Sequence, residues 1–249
     1  ASNGVINLGT MAIDGTVALT TNGNGAATIV NDAGLSFAAS TVRGALSATA
    51  TTGDITDSGN LAITGAATFI TGVDESNIVL DSSGNAFSSS VEMRADAGGE
   101  DFGNITFVDS AGIDFATSAG SNGDLYINSS TDGTVGGNLS VTATTGNITD
   151  TVALAVSGTT TLTTSANNAT ITLDNTSNAF TGAVTITTND DSGTDADVTI
   201  DGGTTALLIA ASTIDGDLTV TGNLLGASIG IGTGTASTNL GFNGFSYLG

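Results

Sequence analysis

A long internal repeat limits the folds that this chain can adopt. The segment Leu46–Val91 returns without a gap at Leu139–Val184, 93 residues later, and 22 of the 46 aligned residues are identical. LSATATTGDITD at Leu46–Asp57, for example, returns as LSVTATTGNITD at Leu139–Asp150. Such a repeat is typical of architectures in which one unit stacks on the next and buries its apolar face against its neighbours.

Partial copies extend the repeat beyond these two segments. ATIVNDAGLSFAAS at Ala27–Ser40 resembles ITFVDSAGIDFATS at Ile105–Ser118, at the shorter offset of 78 residues. The offset grows to 93 because the middle copy gains INSSTDGTVGGNLS, and a solenoid absorbs such an insertion since each layer contacts only its neighbours. We therefore predict a single rod over 1–249, with approximate repeats at 17–74, 75–167 and 168–224 and an atypical C-terminal cap or contact segment at 225–249.

Apolar residues alternate with polar ones along most of the chain. Pairs such as Leu61/Ile63, Ile78/Leu80 and Leu139/Val141 place two apolar side chains on one face of a short strand. Gly, Asn, Asp and Ser separate these pairs and favour tight turns. Short strands at this spacing fit an antiparallel sandwich or barrel as well as a parallel solenoid.

The repeat favours the solenoid over the sandwich. Equivalent strands of successive coils stack about 4.8 Å apart, so matching side chains form ladders. Asn and Thr ladders can hydrogen-bond along such a stack. The chain has no proline, which fits because the backbone N–H groups of each coil must pair with the neighbouring coil. At on the order of 20 residues per coil, the sequence predicts an all-β parallel β-solenoid of about a dozen coils.

Composition excludes several classes of function. Only Arg43 and Arg94 are cationic against 24 acidic residues, a net charge of −22 that repels nucleic acid. The chain has no Cys, His or Lys, which removes disulfides, Cys-bound zinc and the commonest general bases and Schiff-base nucleophiles. Its longest apolar run, Ala206–Ala211, is too short to span a membrane. The acidic, Lys-free and Cys-free composition suits an extracellular or cell-surface location, and the start at Ala1 suggests a processed protein or a piece of a longer one.

Three segments resemble a known family of repeats. They are ITLDNTSNAFTGAVTI at Ile171–Ile186, LSFAASTVRGALSATATTGDITDSGNLAITGAATF at Leu35–Phe69 and GNLSVTATTGNITDTVALAVSGTTTL at Gly137–Leu162. This pattern is similar to the filamentous-haemagglutinin type of repeat in large secreted bacterial adhesins and related β-strand-repeat proteins. The resemblance implies a right-handed parallel β-helix at the cell surface, with attachment or filament roles and no catalytic residues. The chain departs from the pattern at Ala1–Thr16 and at Leu225–Gly249.

The densest acidic cluster suggests a calcium loop. NDDSGTDAD at Asn189–Asp197 aligns, at the offset of 93, with DAGGEDFGN at Asp96–Asn104. Hard oxygen ligands on a loop suit Ca²⁺, and the candidate ligands are Asp190, Asp191, Asp195 and Asp197. The spacing does not match an EF-hand loop. The alternative is a solvated loop that keeps the rod soluble.

Catalysis and ice binding are two further hypotheses that the sequence raises. A catalytic β-helix needs paired carboxylates or a carboxylate-bound cation with a base. Acid pairs occur at Asp74/Glu75 and Asp190/Asp191, but no His or Lys accompanies them and no aromatic platform for sugars is evident. The run TTTLTT at Thr159–Thr164 suggests a flat ice-binding face, although Thr on the outside of strands is expected from strand propensity alone.

The sequence therefore predicts a non-enzymatic, extracellular structural protein, the rod or filament subunit of a cell-surface adhesin or fibre. The alternative is a glycan- or calcium-binding β-helical adhesion module. Expected partners are further copies of the chain in fibres, neighbouring segments of a larger surface protein, or glycans. No cofactor is expected unless the acidic loop binds Ca²⁺.

Overall fold

The computed structural model describes most of the chain as stacked β-strands. The described residues are 3–95, 103–116, 124–127, 134–189, 195–222, 224–231 and 241–243. Every regular element in them is a strand, and the paired strands run parallel. No helix in this part of the chain is long and apolar enough to cross a membrane.

The strands are short, and most have two to five residues. The first fourteen are β1 (Ile6–Met11), β2 (Thr16–Val17), β3 (Ala27–Asn31), β4 (Leu35–Phe37), β5 (Ser40–Val42), β6 (Leu46–Ala50), β7 (Ile55–Asp57), β8 (Leu61–Ile63), β9 (Ala67–Thr71), β10 (Ile78–Leu80), β11 (Ala86–Phe87), β12 (Val91–Arg94), β13 (Ile105–Asp109) and β14 (Ile113–Phe115). The remaining fourteen are β15 (Asp124–Ile127), β16 (Thr134–Val135), β17 (Leu139–Ala143), β18 (Ile148–Asp150), β19 (Ala155–Val156), β20 (Thr160–Thr164), β21 (Ile171–Leu173), β22 (Ala179–Phe180), β23 (Val184–Thr187), β24 (Val198–Asp201), β25 (Leu207–Ile214), β26 (Leu218–Thr221), β27 (Leu224–Ile231) and β28 (Gly241–Asn243).

These strands form four sheets. Sheet A has twelve strands in the order β1-β3-β6-β9-β12-β15-β14-β18-β21-β24-β26-β28, and sheet B has ten in the order β2-β4-β7-β10-β13-β17-β20-β23-β25-β27. Sheet C consists of β11, β8 and β5, and sheet D of β16, β19 and β22. Strands β27 and β28 extend sheets B and A into the 225–249 segment that the sequence sets apart, and its role as a cap stays a prediction.

The all-β parallel solenoid predicted from the repeat is confirmed. The ten strands of sheet B mark about nine turns, fewer than the dozen expected. The long strands that begin at Ala27, Leu46, Ala67 and Val91 are 19, 21 and 24 residues apart. The turn from Ile105 to Leu139 takes 34 residues because it contains the insertion. The turns are therefore longer than assumed, and the right-handed sense of the winding stays a prediction.

One apolar core fills the interior of the stack. It extends from Val17 to Val220 and is built from the inward residues of every turn. The period-two prediction is confirmed in β6, whose first, third and fifth residues are buried while the two between them are partly exposed. Burial of alternate apolar side chains is the main stabilising contribution to such a fold.

An aromatic stack runs through the core of the first half of the chain. The ring of Phe69 lies edge-on to those of Phe37 and Phe87, with centroid distances of 6.3 and 6.2 Å. Phe87 in turn lies 5.1 Å from Phe107. Such pairs add about 0.5–1.5 kcal/mol each beyond their buried area.

Glycines precede the long strands where successive turns approach closely. A Cβ at Gly65 would lie 2.5 Å from the carbonyl carbon of Gly44, and one at Gly182 would lie 2.2 Å from the carbonyl oxygen of Gly158. No side chain fits at these distances. The glycine columns thus fix the corner that leads into each long strand.

The two copies of the repeat occupy exchanged sheets. In the first repeat, Leu46–Val91, the chain passes from sheet A to sheet B to sheet C, as β6-β7-β8 and then as β9-β10-β11. In the second repeat, Leu139–Val184, it passes from sheet B to sheet A to sheet D, as β17-β18-β19 and then as β20-β21-β22. Equivalent strands such as β6 and β17 therefore lie in different sheets.

The exchange takes place between β12 and β17. Strand β13 has the sequence of a sheet A strand, since it resembles β3, yet it pairs with β10 in sheet B. Strand β14 resembles β4 of sheet B and lies in sheet A. Strand β15 enters sheet A between β12 and β14, which adds a strand to that sheet alone.

Candidate functional site

A ladder of polar side chains runs along sheet B at the N-terminal ends of its strands. Each of its members immediately precedes a strand of that sheet, and every member except the last, Thr159, accepts a backbone N–H from the next turn. The bonds run from Asn77 N to Asp54 Oδ1 (2.7 Å), from Asn104 N to Asn77 Oδ1 (2.8 Å), from Asn138 N to Asn104 Oδ1 (2.8 Å) and from Thr159 N to Asn138 Oδ1 (2.7 Å). Side chains also bond to each other, from Asn104 Nδ2 to Asn77 Oδ1 and from Thr159 Oγ1 to Asn138 Oδ1, which confirms the expected hydrogen bonding of Asn and Thr along the stack.

The ladder passes through the exchange of the sheets without a break. Asp54 and Asn77 belong to the turns before it, and Asn138 and Thr159 to the turns after it. Its side-chain oxygens satisfy N–H groups at the corners, where strand pairing is absent. These residues therefore hold neighbouring turns in register.

A carboxylate–amide bracket joins neighbouring turns in each repeat. In the first, Asn85 donates to Asp57 Oδ2 at 2.6 Å and accepts Leu61 N at 2.8 Å. In the second, Asn178 donates to Asp150 Oδ2 at 2.6 Å and accepts Leu154 N at 2.7 Å. Both asparagines are buried. The first bracket thus binds the loop after β10 to the preceding turn, and the second binds the loop after β21 to its preceding turn.

Burial raises the pKa of the Asp150 carboxyl above its ordinary value of 3.8. Hydrogen bonds from Asn178 and from the backbone N–H groups of Asn175 and Asp174 act in the opposite direction but do not offset the loss of water. Asp150 thus serves as a structural acceptor.

A second buried carboxylate, that of Asp109, caps the last strand of sheet C. Strand β11 is the last strand of that sheet, so the N–H of Phe87 and the C=O of Asn85 have no further strand to pair with. Asp109 Oδ1 accepts from Phe87 N at 3.1 Å, and Ser110 N donates to Asn85 O at 2.8 Å. Burial raises the pKa of the Asp109 carboxyl, while backbone N–H bonds from Phe87, Ala111 and Ser110 lower it. Asp109 closes an edge that would otherwise leave unpaired groups.

A surface groove lies beside the first turns of sheet B and is here called the corner groove. It has a volume of about 310 Å³ and is lined by Ile13, Asp14, Gly15, Thr16, Gly34, Leu35, Ser36, Asp54 and Thr56. One side is the loop between β1 and β2, and the other comes from the turns that contain β4 and β7.

Asn31 holds the two parts of the corner groove together. This fully buried side chain accepts Ile13 N at 2.9 Å and donates to Ile13 O at 3.0 Å and to Gly34 O at 2.7 Å. The side-chain amide of Asn31 thus binds both the N–H and the C=O of Ile13 and holds this loop residue against the next turn. The groove is therefore preorganised by a side chain outside its lining.

The predicted calcium loop is only partly described. Asp190 and Asp191 lie outside the described residues, whereas Asp195 and Asp197 are described and exposed. Asp197 Oδ1 accepts Asp217 N at 2.8 Å, so one of its oxygens already stabilises the next turn. In the described part of the chain, no three acidic side chains form a group that could hold a metal ion. The calcium site stays a prediction.

The other acid pair considered for catalysis, Asp74/Glu75, lies on an exposed turn. Sequence reasoning missed the brackets and the corner groove. The bracket residues recur at the offset of 93, a signal that could have revealed them. No repeat marks the groove, because its loop at 12–15 precedes the repeats.

The chain matches the model of a known family of repeats. A family model described as "Repeats of unknown function (DUF5649)" matches residues 24–94 and 102–187. The two matched segments contain the two copies of the long repeat and the exchange between them. No curated protein and no solved structure matches the chain.

Proposed function

The chain belongs to this family of repeats, and we propose that it is a non-enzymatic structural protein, the rod or filament subunit of an extracellular, cell-surface adhesin or fibre. The observation that carries the proposal is the unbroken stack, in which one buried core joins about nine turns. Ten to twelve strands at about 4.8 Å give a rod on the order of 45–55 Å long.

The hydrogen bonds that the buried polar groups make between turns support a structural role. The carboxylates of Asp57, Asp109 and Asp150 accept N–H groups from neighbouring turns, so these acids contribute to holding the fold together. The lack of His, Lys and Cys points the same way. The net charge of −22 supports partners other than nucleic acid and suits an exposed, solvated surface.

Electron microscopy and small-angle scattering of the purified chain, with and without Ca²⁺, test this proposal. Extended particles that join end to end support a filament subunit, with further copies or neighbouring segments of a larger surface protein as partners. Compact particles would contradict the rod. Saturable turnover of any polysaccharide would contradict the non-enzymatic role.

A second candidate function is an adhesion module that binds a glycan, and the corner groove favours it. Calcium binding at the acidic loop belongs to the same candidate. Calcium binding is tested by measuring the melting temperature with Ca²⁺ and with Mg²⁺. A rise with Ca²⁺ alone supports a calcium site at the acidic loop.

A further inference from the structure

The corner groove presents a column of hydroxyl groups. Thr16 pairs in register with Ser36, and Ser36 pairs with Thr56. Their inward neighbours Val17 and Leu35 are buried, so the hydroxyl side chains face outward, about 4.8 Å apart along the stack. A hydroxyl both donates and accepts hydrogen bonds. The column therefore suits a ligand with several hydroxyl groups of its own.

Two carboxylates also line the corner groove. Asp14 is exposed, and Asp54 is held in place because its Oδ1 accepts both the N–H and the side-chain amide of Asn77, at 2.7 and 3.2 Å. Its orientation is thus fixed before a ligand arrives. Two carboxylates in a chain of net charge −22 favour a cationic group, and charge-assisted hydrogen bonds to an ammonium are among the stronger polar contacts.

The size and lining of the corner groove limit the ligand further. A volume of about 310 Å³ is at the lower end of small-ligand pockets. The lining includes no aromatic side chain, so stacking on a flat ring is not part of recognition. The partly exposed Ile13 supplies a small apolar surface beside the polar groups. A compact polyhydroxylated cation fits these features.

The surface formed by the later counterparts of Ser36 and Thr56 lacks these features. Asp114 and Thr149 are the counterparts of Ser36 and Thr56 at offsets of 78 and 93. There Thr149 donates to Asp114 Oδ1 at 3.0 Å, so hydroxyl and carboxylate bond to each other. The corner groove therefore belongs to the first turns and is not a general property of the repeat.

We propose that the corner groove binds an amino sugar with a free ammonium group. The Asp14 and Asp54 carboxylates receive the ammonium, and the hydroxyl column of Thr16, Ser36 and Thr56 receives the sugar hydroxyls. This inference deepens the second candidate function, and its failure would leave the rod proposal unaffected because particle shape is measured independently.

The test is a titration of the full chain with a short glucosamine oligomer that carries free amines. Amide resonances in two-dimensional NMR report the site, and those of Gly15 and Gly34 are expected to shift in a saturable manner. The Asp14→Asn and Asp54→Asn variants are each expected to weaken binding about tenfold, since each removes a charge-assisted contact. Asp54→Asn keeps an oxygen for the bond from Asn77.

Asp32→Asn is the matched control, because Asp32 is an exposed acid of the same turn, two residues before Gly34, and lies outside the lining of the groove. It is expected to bind like the parent chain, and Ser36→Phe is expected to block the groove. An equal loss in Asp32→Asn would overturn the site, since the general negative field would then explain the binding.

Two further ligands test the carboxylates and the hydroxyl column of the groove separately. The N-acetylated oligomer, which lacks the ammonium, is expected to bind at least tenfold more weakly. Equal binding of that oligomer would overturn the role of the carboxylates. Equal binding of spermidine, which has ammonium groups and no hydroxyls, would overturn the role of the hydroxyl column. The absence of saturable shifts with every ligand would overturn the whole inference.

Discussion

The first repeat, Leu46–Val91, and the second, Leu139–Val184, build the same layers from the same pattern on exchanged sheets. Each contains the same bracket, and each contains a hydrogen bond across the turn after its second long strand, from Thr71 Oγ1 to Ser76 O or from Thr164 Oγ1 to Ala169 O. The local design is thus independent of the sheet that a strand joins. The core differs, because Phe69 in the aromatic stack becomes Leu162 in the second repeat.

This comparison shows that the repeat specifies layers and leaves their placement open. A five-residue strand with three inward side chains fits sheet A as β6 and sheet B as β17, with the same burial pattern. Differences between the repeats should therefore lie in particular side chains, and the substitutions below test them.

The largest expected difference concerns the aromatic stack. Phe87→Ala is expected to lower the free energy of unfolding by about 4–5 kcal/mol, because it leaves a cavity and removes the ring contacts to Phe69 and Phe107. Phe180→Ala, at the equivalent position, is expected to cost about 1 kcal/mol less, since among the described residues Phe180 has no aromatic neighbour. Urea denaturation measures both. Equal losses would mean that the ring contacts add nothing to the buried area.

The brackets should behave alike in the two repeats. Asn85→Ala is expected to cost about 3 kcal/mol, because Leu61 N and the Asp57 carboxylate lose a buried partner. Asn178→Ala is expected to cost the same within about 0.5 kcal/mol, and urea denaturation of both variants measures it. A difference of more than about 1 kcal/mol would show that the exchange of sheets alters the bracket.

A buried hydroxyl without a partner distinguishes the second repeat. Thr160 Oγ1 has no hydrogen-bond partner within the described structure, and its counterpart in the first repeat is Ala67. Thr160→Val keeps the shape and removes the unsatisfied hydroxyl, so it is expected to stabilise by about 1 kcal/mol. The reverse change, Ala67→Thr, is expected to destabilise by about 1–2 kcal/mol. If Thr160→Val destabilised the chain, the hydroxyl would have to be bonded in solution.

Acidification should stabilise the protein through its buried carboxylates. The pKa values of Asp109 and Asp150 are raised in the folded state, so the stability from their protonated forms is complete below the ordinary value of 3.8 and is lost as pH rises through the folded values. Lowering the pH from neutral is therefore expected to raise Tm.

Asp109→Asn separates this effect from the general fall in net charge. The variant has one buried titrating group fewer, so its Tm should depend less on pH than that of the parent chain. Thermal unfolding monitored by circular dichroism at several pH values measures the slope. An unchanged slope would assign the pH dependence to surface charge alone.

The smallest expected effect concerns a backbone position that both repeats share. Glu75 has φ of 60° and its counterpart Asn168 has φ of 65°, in the left-handed region where Asn is tolerated better. Glu75→Asn is expected to stabilise by about 0.5 kcal/mol, and Asn168→Glu to destabilise by the same amount. The urea midpoint measures both changes. Shifts of the same sign would show that side-chain contacts outweigh the backbone preference.

Much of the fold was predictable because its signals are local. The alternation of Leu46, Ala48 and Ala50 with polar residues determines which side chains enter the core, and the Asn residues before successive strands indicate a ladder. The corner groove was not predictable, because its wall depends on Asn31, which binds the loop at Ile13 eighteen residues earlier in the chain. The predicted calcium ligands stay untested, with Asp190 and Asp191 outside the described residues.

The strands, their inward faces and their parallel stacking could be predicted from the sequence alone. Period-two alternation and recurring ladder residues act within one layer and its neighbour, so a repeat carries that information. The sheet that each strand joins and the position of the groove depend on contacts between turns that are distant in the chain. The reason is that both main sheets accept the same pattern of buried residues. The pairing of β13 with β10 therefore decides that β13 joins sheet B.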